Sequence, residues 1–136
     1  MIILDENVHQ QRIQASVASW YGGQVRSITT LRPNTLIKDD AIPSLLLLVR
    51  QPTFVTTNVD DFWRRMSAHS RFSMVCMALP NERLHELSTL LRQLLRRSEF
   101  STRAKRMGKI TRVSPSQLQY YERQGDHIIR VCPWSI

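Results

Sequence analysis

Cysteine and glycine are scarce in this 136-residue chain, and both scarcities narrow what it can be. Cys76 and Cys132 are its only cysteines; they are too few for a disulfide framework, lack metal-ligand spacing and sit in apolar runs, so both read as core residues. Four glycines exclude collagen-like and flexible low-complexity architectures. No apolar run approaches the roughly 20 residues of a membrane-spanning helix. The opening "MIILDENVHQ" lacks the positive region and longer apolar stretch of a signal peptide, which makes the cytoplasm the expected compartment and leaves the membrane out as a partner. Histidine is sparse as well: His9, His69, His85 and His127 show no paired spacing for a metal. Only His9, near Asp5, is kept as a candidate participant.

What is present suits one globular domain spanning 1–136. The length allows a single core that buries roughly two-thirds of the unfolded surface, and 42% of the residues are hydrophobic. Charge is unevenly spread. Residues 1–62 carry a net −1 and residues 63–136 a net +9, within a total of +8. The second half reads either as a surface for a polyanion or as a generically basic exterior.

Apolar runs punctuated by helix signals give the architecture. "MIIL" suits a strand buried on both faces, followed by a helix with Asn7 as its N-cap, Ile13, Val17, Trp20 and Tyr21 on one face, and Gly22-Gly23 as its stop. "QVRSIT" reads as a second strand. In "DDAIPSLLLLVRQP" an aspartate caps a helix, Pro43 fits the first turn and Pro52 marks the exit. "TFVTT" reads as the third strand, "FSMVCMAL" as the fourth, and "NERLHELSTLLRQLLRRSEF" as the best helix, its leucines forming one stripe. Alternating strands and helices through residue 98 predict an α/β fold with a mostly parallel central sheet. Residues 99–136 read as a basic C-terminal extension with short strands in "KITRV" and "HIIRVCPW".

Six of the eleven acidic residues form three adjacent pairs, Asp5-Glu6, Asp39-Asp40 and Asp60-Asp61. Two pairs directly follow predicted parallel strands, and in such sheets ligands bind beyond the carboxyl ends of the strands. Asp5 and the Asp60-Asp61 pair should therefore share a crevice, joined by an acid from the third pair. Clustered carboxylates repel one another, and a hard divalent cation, Mg²⁺ or Mn²⁺, relieves the repulsion. Phosphodiester hydrolysis is the reaction class such a site suits. The structural alternatives are local: Asp39 or Asp40 as a helix cap, and Asp60 and Asp61 as caps partnered by Arg64 and Arg65.

"LDEN" ending a first strand, "KDDAI" opening a middle helix and "FVTTNVDDF" ending a later strand together resemble the small PIN-like domain family, relatives of VapC-type toxin ribonucleases. The resemblance covers roughly residues 1–98. It implies a three-layer α/β/α sandwich, Mg²⁺ or Mn²⁺ as cofactor, cleavage of RNA, and a small antitoxin as partner; a homodimer is left open. Carried over, Asp5, Asp40 and Asp61 would be catalytic, these three with Asp60 would hold the metal, and Glu6, Asn7, Thr57 and Asn58 would line the site. The pattern of the family is Thr, a polar residue, Asp, any residue, Asp, Phe, and its first aspartate is Val59 here. Either Asp60 substitutes by a one-residue shift, or the site is a weakened one that binds RNA or a partner protein without turnover.

Arg64, Arg65, Arg96, Arg97, Arg103, Lys105, Arg106 and Lys109 are the candidate RNA-binding cations. Tyr120, Tyr121 and Trp134 either stack on unpaired bases or pack the tail against the sheet.

Overall fold

The structure, a computed structural model, describes residues 1–8, 11–122 and 128–134. Seven strands form one sheet: β1 (Ile2–Leu4), β2 (Val25–Ser27), β3 (Thr53–Thr56), β4 (Ser73–Met77), β5 (Lys109–Val113), β6 (Leu118–Glu122) and β7 (Arg130–Cys132). Their order is β2-β1-β3-β4-β5-β6-β7. The first five are mutually parallel, and β6 and β7 add to the edge in antiparallel fashion. The chain is thus α/β with a mostly parallel, mixed sheet.

Every residue of β1, β3 and β4 is buried, as expected of central parallel strands covered on both faces. Alternation divides their side chains between two apolar clusters. Ile2, Leu4, Val55, Val75 and Met77 pack with Ile13 and Val17 of α1 (Gln11–Ala18) and with Leu87, Leu90, Leu91 and Leu94 of α4 (Leu87–Leu95). Ile3, Phe54, Met74 and Cys76 pack with Ile42, Leu45 and Leu46 of α2 (Ile42–Leu46) and with Phe62 of α3 (Val59–Phe62). Each fully buried leucine of α4 contributes about 1.5–3 kcal/mol relative to exposure, so its apolar stripe outweighs local helix propensity. Trp20 Nε1 donates to Ser88 Oγ at 2.9 Å and ties the segment after α1 to α4. Among the described residues no helix is long and apolar enough to cross a membrane.

Several local expectations change. The helix expected from Asp39 onward is a 3₁₀ turn, Asp39–Ala41, followed by the short α2. Lys38, not an aspartate, occupies the cap position, and no side chain caps the turn. Described α1 starts at Gln11, and Asn7 stands earlier, in the turn at residues 6–8. The stretch expected to separate the two tail strands contains β6. The basic segment continues the sheet as α5 (Arg103–Arg106) and β5, the latter pairing in parallel with β4.

The tail aromatics pack. Tyr120 and Tyr121 are buried, the Tyr121 hydroxyl donates to the Met66 carbonyl at 2.6 Å, and Trp134 Nε1 donates to the Ser114 carbonyl at 2.8 Å. Burial of the tyrosines removes the ring faces that base stacking would need. Burial also pushes the Tyr121 hydroxyl pKa up to about 12. Cys76 is fully buried and Cys132 half-buried, both as free thiols.

Candidate functional site

Strand order reverses between β1 and β3: the chain steps from β1 outward to β2, then returns to the other side of β1 to lay down β3, β4 and β5. Beyond the carboxyl ends of strands flanking such a reversal, an open α/β sheet leaves a crevice. Register brings Leu4 opposite Val55, which sets Asp5 beside Thr56 at the carboxyl ends of β1 and β3.

Asp5 is 7% exposed and held from two sides. Its Oδ2 accepts from Thr56 Oγ1 at 2.7 Å and its Oδ1 from the Glu6 backbone N–H at 2.8 Å. Thr56 Oγ1 in turn accepts from the Asn58 backbone N–H at 3.0 Å. Burial raises the pKa of Asp5, against the lowering effect of these two hydrogen bonds.

Asn58 braces the other two acids. Its Nδ2 donates to Asp61 Oδ2 at 2.7 Å and to Asp39 Oδ2 at 3.2 Å. The pKa of Asp39 is raised, first by burial, then by its neighbour Asp61, and then by the charges of Asp5 and Asp40. Asp39 therefore feels Asp5 and Asp61 as like charges close by.

Asp39 takes the place expected of Asp40, which is exposed. Successive residues in a 3₁₀ turn point about 120° apart, so only one acid of the pair can face Asn58. Asp60 is likewise exposed and has no hydrogen-bond partner among the described residues. Val59, where the family pattern has an aspartate, packs against the core cluster containing Phe54 and Phe62. Asp61, exposed as Asp60 is, differs in being held by the Asn58 amide. Thr56, rather than Thr57, supports Asp5, and Thr57 contributes its carbonyl to the Val59 N–H. Glu6 and Asn7 are exposed at the crevice rim. His9 and His127 lie outside the described residues; His69 stacks on Phe72 and its Nδ1 accepts from the Arg71 N–H.

The expected RNA-binding cations do not form one surface. Arg64 and Arg65 are exposed just after α3, next to the acids, and Arg64 adopts a left-handed φ of 63°. The ion pairs among the described residues are Arg83–Glu86 and Arg97–Glu99, so neither Asp60 nor Asp61 is partnered by these arginines. Arg97 also donates to the Pro133 carbonyl. Arg96, Arg103 and Lys105 are exposed, and Lys109 lies 5.9 Å and 5.8 Å from the ring centres of Phe100 and Tyr120. Arg106, expected among the RNA-binding cations, is only 3% exposed, so its guanidinium is not presented on the surface. Arg103, Lys105, Arg106 and Lys109 precede or begin β5 and so stand at the opposite ends of the parallel strands from the acids.

An all-carboxylate and amide donor set suits a hard, oxygen-preferring cation. Among the described residues no group of three or more His, Cys, Asp and Glu side chains is assembled so that it could hold an ion. Mg²⁺, however, keeps several waters and is commonly held by one or two carboxylates together with substrate phosphates. Asp39 and Asp61, linked through Asn58, fit that role, with Asp5 behind them. Compared with protein-family models, curated proteins and solved structures, the chain matches none.

Proposed function

We propose that the chain is a metal-dependent phosphodiesterase acting on RNA, built on a PIN-like three-layer sandwich. The observation that supports it is the convergence of Asp5, Asp39 and Asp61 at the strand-order reversal, cross-braced by Asn58 and Thr56. Asp39 and Asp61 would hold Mg²⁺ or Mn²⁺, which when bound polarises a phosphoryl oxygen and lowers the pKa of a coordinated water. Asn58 fixes the spacing of the two acids. Thr56 orients Asp5, and Asp5 supplies negative charge close enough to raise the pKa of Asp39. Arg64 and Arg65 supply positive charge beside the crevice for the backbone phosphates of RNA. A toxin role with a restraining antitoxin follows from the family resemblance alone.

A second reading, a PIN-like module that binds RNA or a protein without turnover, is favoured by Val59, which places an apolar side chain against the core where the family carries an acid. Titration of Mn²⁺ into the protein, followed by incubation with a mixed RNA pool, separates the two. Saturable Mn²⁺ binding and metal-dependent cleavage, both lost in Asp39→Asn, support the nuclease. Binding without cleavage supports the module, and absence of binding at millimolar Mn²⁺ overturns the metal site.

A further inference from the structure

At the amino-terminal ends of the parallel strands, opposite the acids, the chain gathers positive charge around empty space. A cavity of about 640 Å³ is lined by Tyr21, Gly23, Arg50, Ser101, Arg103 and Arg106, among others. A second, of about 270 Å³, shares Tyr21, Ser101 and Arg106 and adds Arg92 and Arg96. No carboxylate side chain lines either cavity among the described residues.

Arg106 is the unusual member. Its guanidinium is buried, yet its partners are neutral: Nε donates to Thr53 Oγ1 and NH1 to the Phe100 carbonyl, each at 2.9 Å, and Tyr21 stands close enough to favour its charged form. Neither ion pair among the described residues involves it. A buried charge without a counterion is costly. Burial lowers the pKa of Arg106; Tyr21 opposes that shift and nearby Arg103 adds to it. Gly23 is fitted to this arrangement, because a Cβ there would lie 2.8 Å from Cε2 of Tyr21 and push the ring aside.

We propose that these neighbouring cavities bind a nucleoside monophosphate group, its phosphate held by Arg50 and Arg103 in front of the fixed charge of Arg106, with the Tyr21 ring beside the nucleoside. The volume lies within the roughly 300–1,000 Å³ of small-molecule pockets, larger than bare phosphate requires. Arginine forks match phosphate oxygens bidentately. The same chemistry is presented by a free mononucleotide and by the 5′-terminal nucleotide of an RNA strand. This site lies at the other end of the sheet from the acidic crevice and stands independently of the proposed nuclease.

The test is calorimetric titration of inorganic phosphate, adenosine, adenosine 5′-monophosphate, and an RNA hexamer with either a 5′-phosphate or a 5′-hydroxyl into the full chain. Adenosine 5′-monophosphate should bind more tightly than phosphate, and adenosine should not bind. The double variant Arg50→Gln/Arg103→Gln, which changes two exposed side chains, should keep its melting temperature and lose affinity by roughly tenfold or more. Gly23→Ala should weaken binding by displacing Tyr21, and Asp39→Asn should bind as the parent does. A 5′-phosphorylated hexamer that binds better than both the mononucleotide and the hydroxyl hexamer assigns the site to a strand end; a hexamer no better than the mononucleotide assigns it to the free nucleotide. No binding of the monophosphate at millimolar concentration, or equal binding by the double variant, overturns the site.

Discussion

Thr53 and Thr56, the first and last residues of one buried strand, hold opposite charges in place: Thr53 Oγ1 accepts from Arg106 Nε at 2.9 Å, and Thr56 Oγ1 donates to Asp5 Oδ2 at 2.7 Å. At about 3.3 Å per residue, only ~10 Å of strand separates the two. β3 therefore sets a basic cavity and an acidic crevice back to back, and each end can be altered without touching the other.

Asp39 and its neighbour Asp40 should differ sharply. Asp39→Asn is expected to abolish Mn²⁺ binding and any RNA cleavage, while Asp40→Asn and Asp60→Asn leave both within about twofold, as surface changes away from the bonded network do. Calorimetry and gel-based cleavage assays on the three variants check this. Loss of metal binding on changing Asp40 would contradict the facing described above.

Acidity should stabilise the metal-free protein through Asp5 and Asp39. Both have folded pKa values raised above the ordinary 3.8, so the folded state binds protons more tightly than the unfolded one. Their stabilising contribution is complete below pH 3.8 and is lost as pH rises through the raised folded values. At pH 7 without divalent cations, the double variant Asp5→Asn/Asp39→Asn should melt higher than the parent, and the gap should close as pH falls toward 4. Millimolar Mn²⁺ at pH 7 should narrow it as well. A gap that stays constant across this pH range would show that burial and neighbouring charge do not raise the pKa values of these acids.

Thr56→Val removes a fully buried hydroxyl that serves both Asp5 and the Asn58 N–H. Leaving those two groups unmet should cost about 1–3 kcal/mol in chemical denaturation. The Asp5 pKa, followed by carboxyl-carbon NMR, should rise further because one bond favouring the ionised form is gone. An unchanged pKa would mean that the bond to Asp5 is not made in solution.

Phe62→Ala should destabilise by about 3–5 kcal/mol, the usual cost of emptying a large aromatic site. The ring is fully buried, 5.5 Å from that of Phe54, and directly follows Asp61. Mn²⁺ affinity should fall along with stability, since the same turn carries the acid. Phe62→Leu, which refills much of the space, should recover most of both.

Local properties made a large part of this legible from residue order. Continuous apolar runs marked β1, β3 and β4 because strands covered on both faces need them. The leucine stripe marked α4, and acids just past two strands marked the carboxyl ends of β1 and β3, where Asp5 and Asp61 stand. These signals depend on spacing along a few residues. Facing across the sheet does not. Which acid of the Asp39-Asp40 and Asp60-Asp61 pairs meets Asn58 was decided by a 3₁₀ turn and by the placing of Asn58, about twenty residues from Asp39 along the chain. Thr56 replaced Thr57 because register aligns it with Asp5, 51 positions away. Arg106 resembles its basic neighbours in sequence, and only its placing against Thr53 and the Phe100 carbonyl in the fold sets it apart. The joining of β5 to β4 likewise arose from tertiary pairing, since a short strand carries no mark of the neighbour it will hydrogen-bond to.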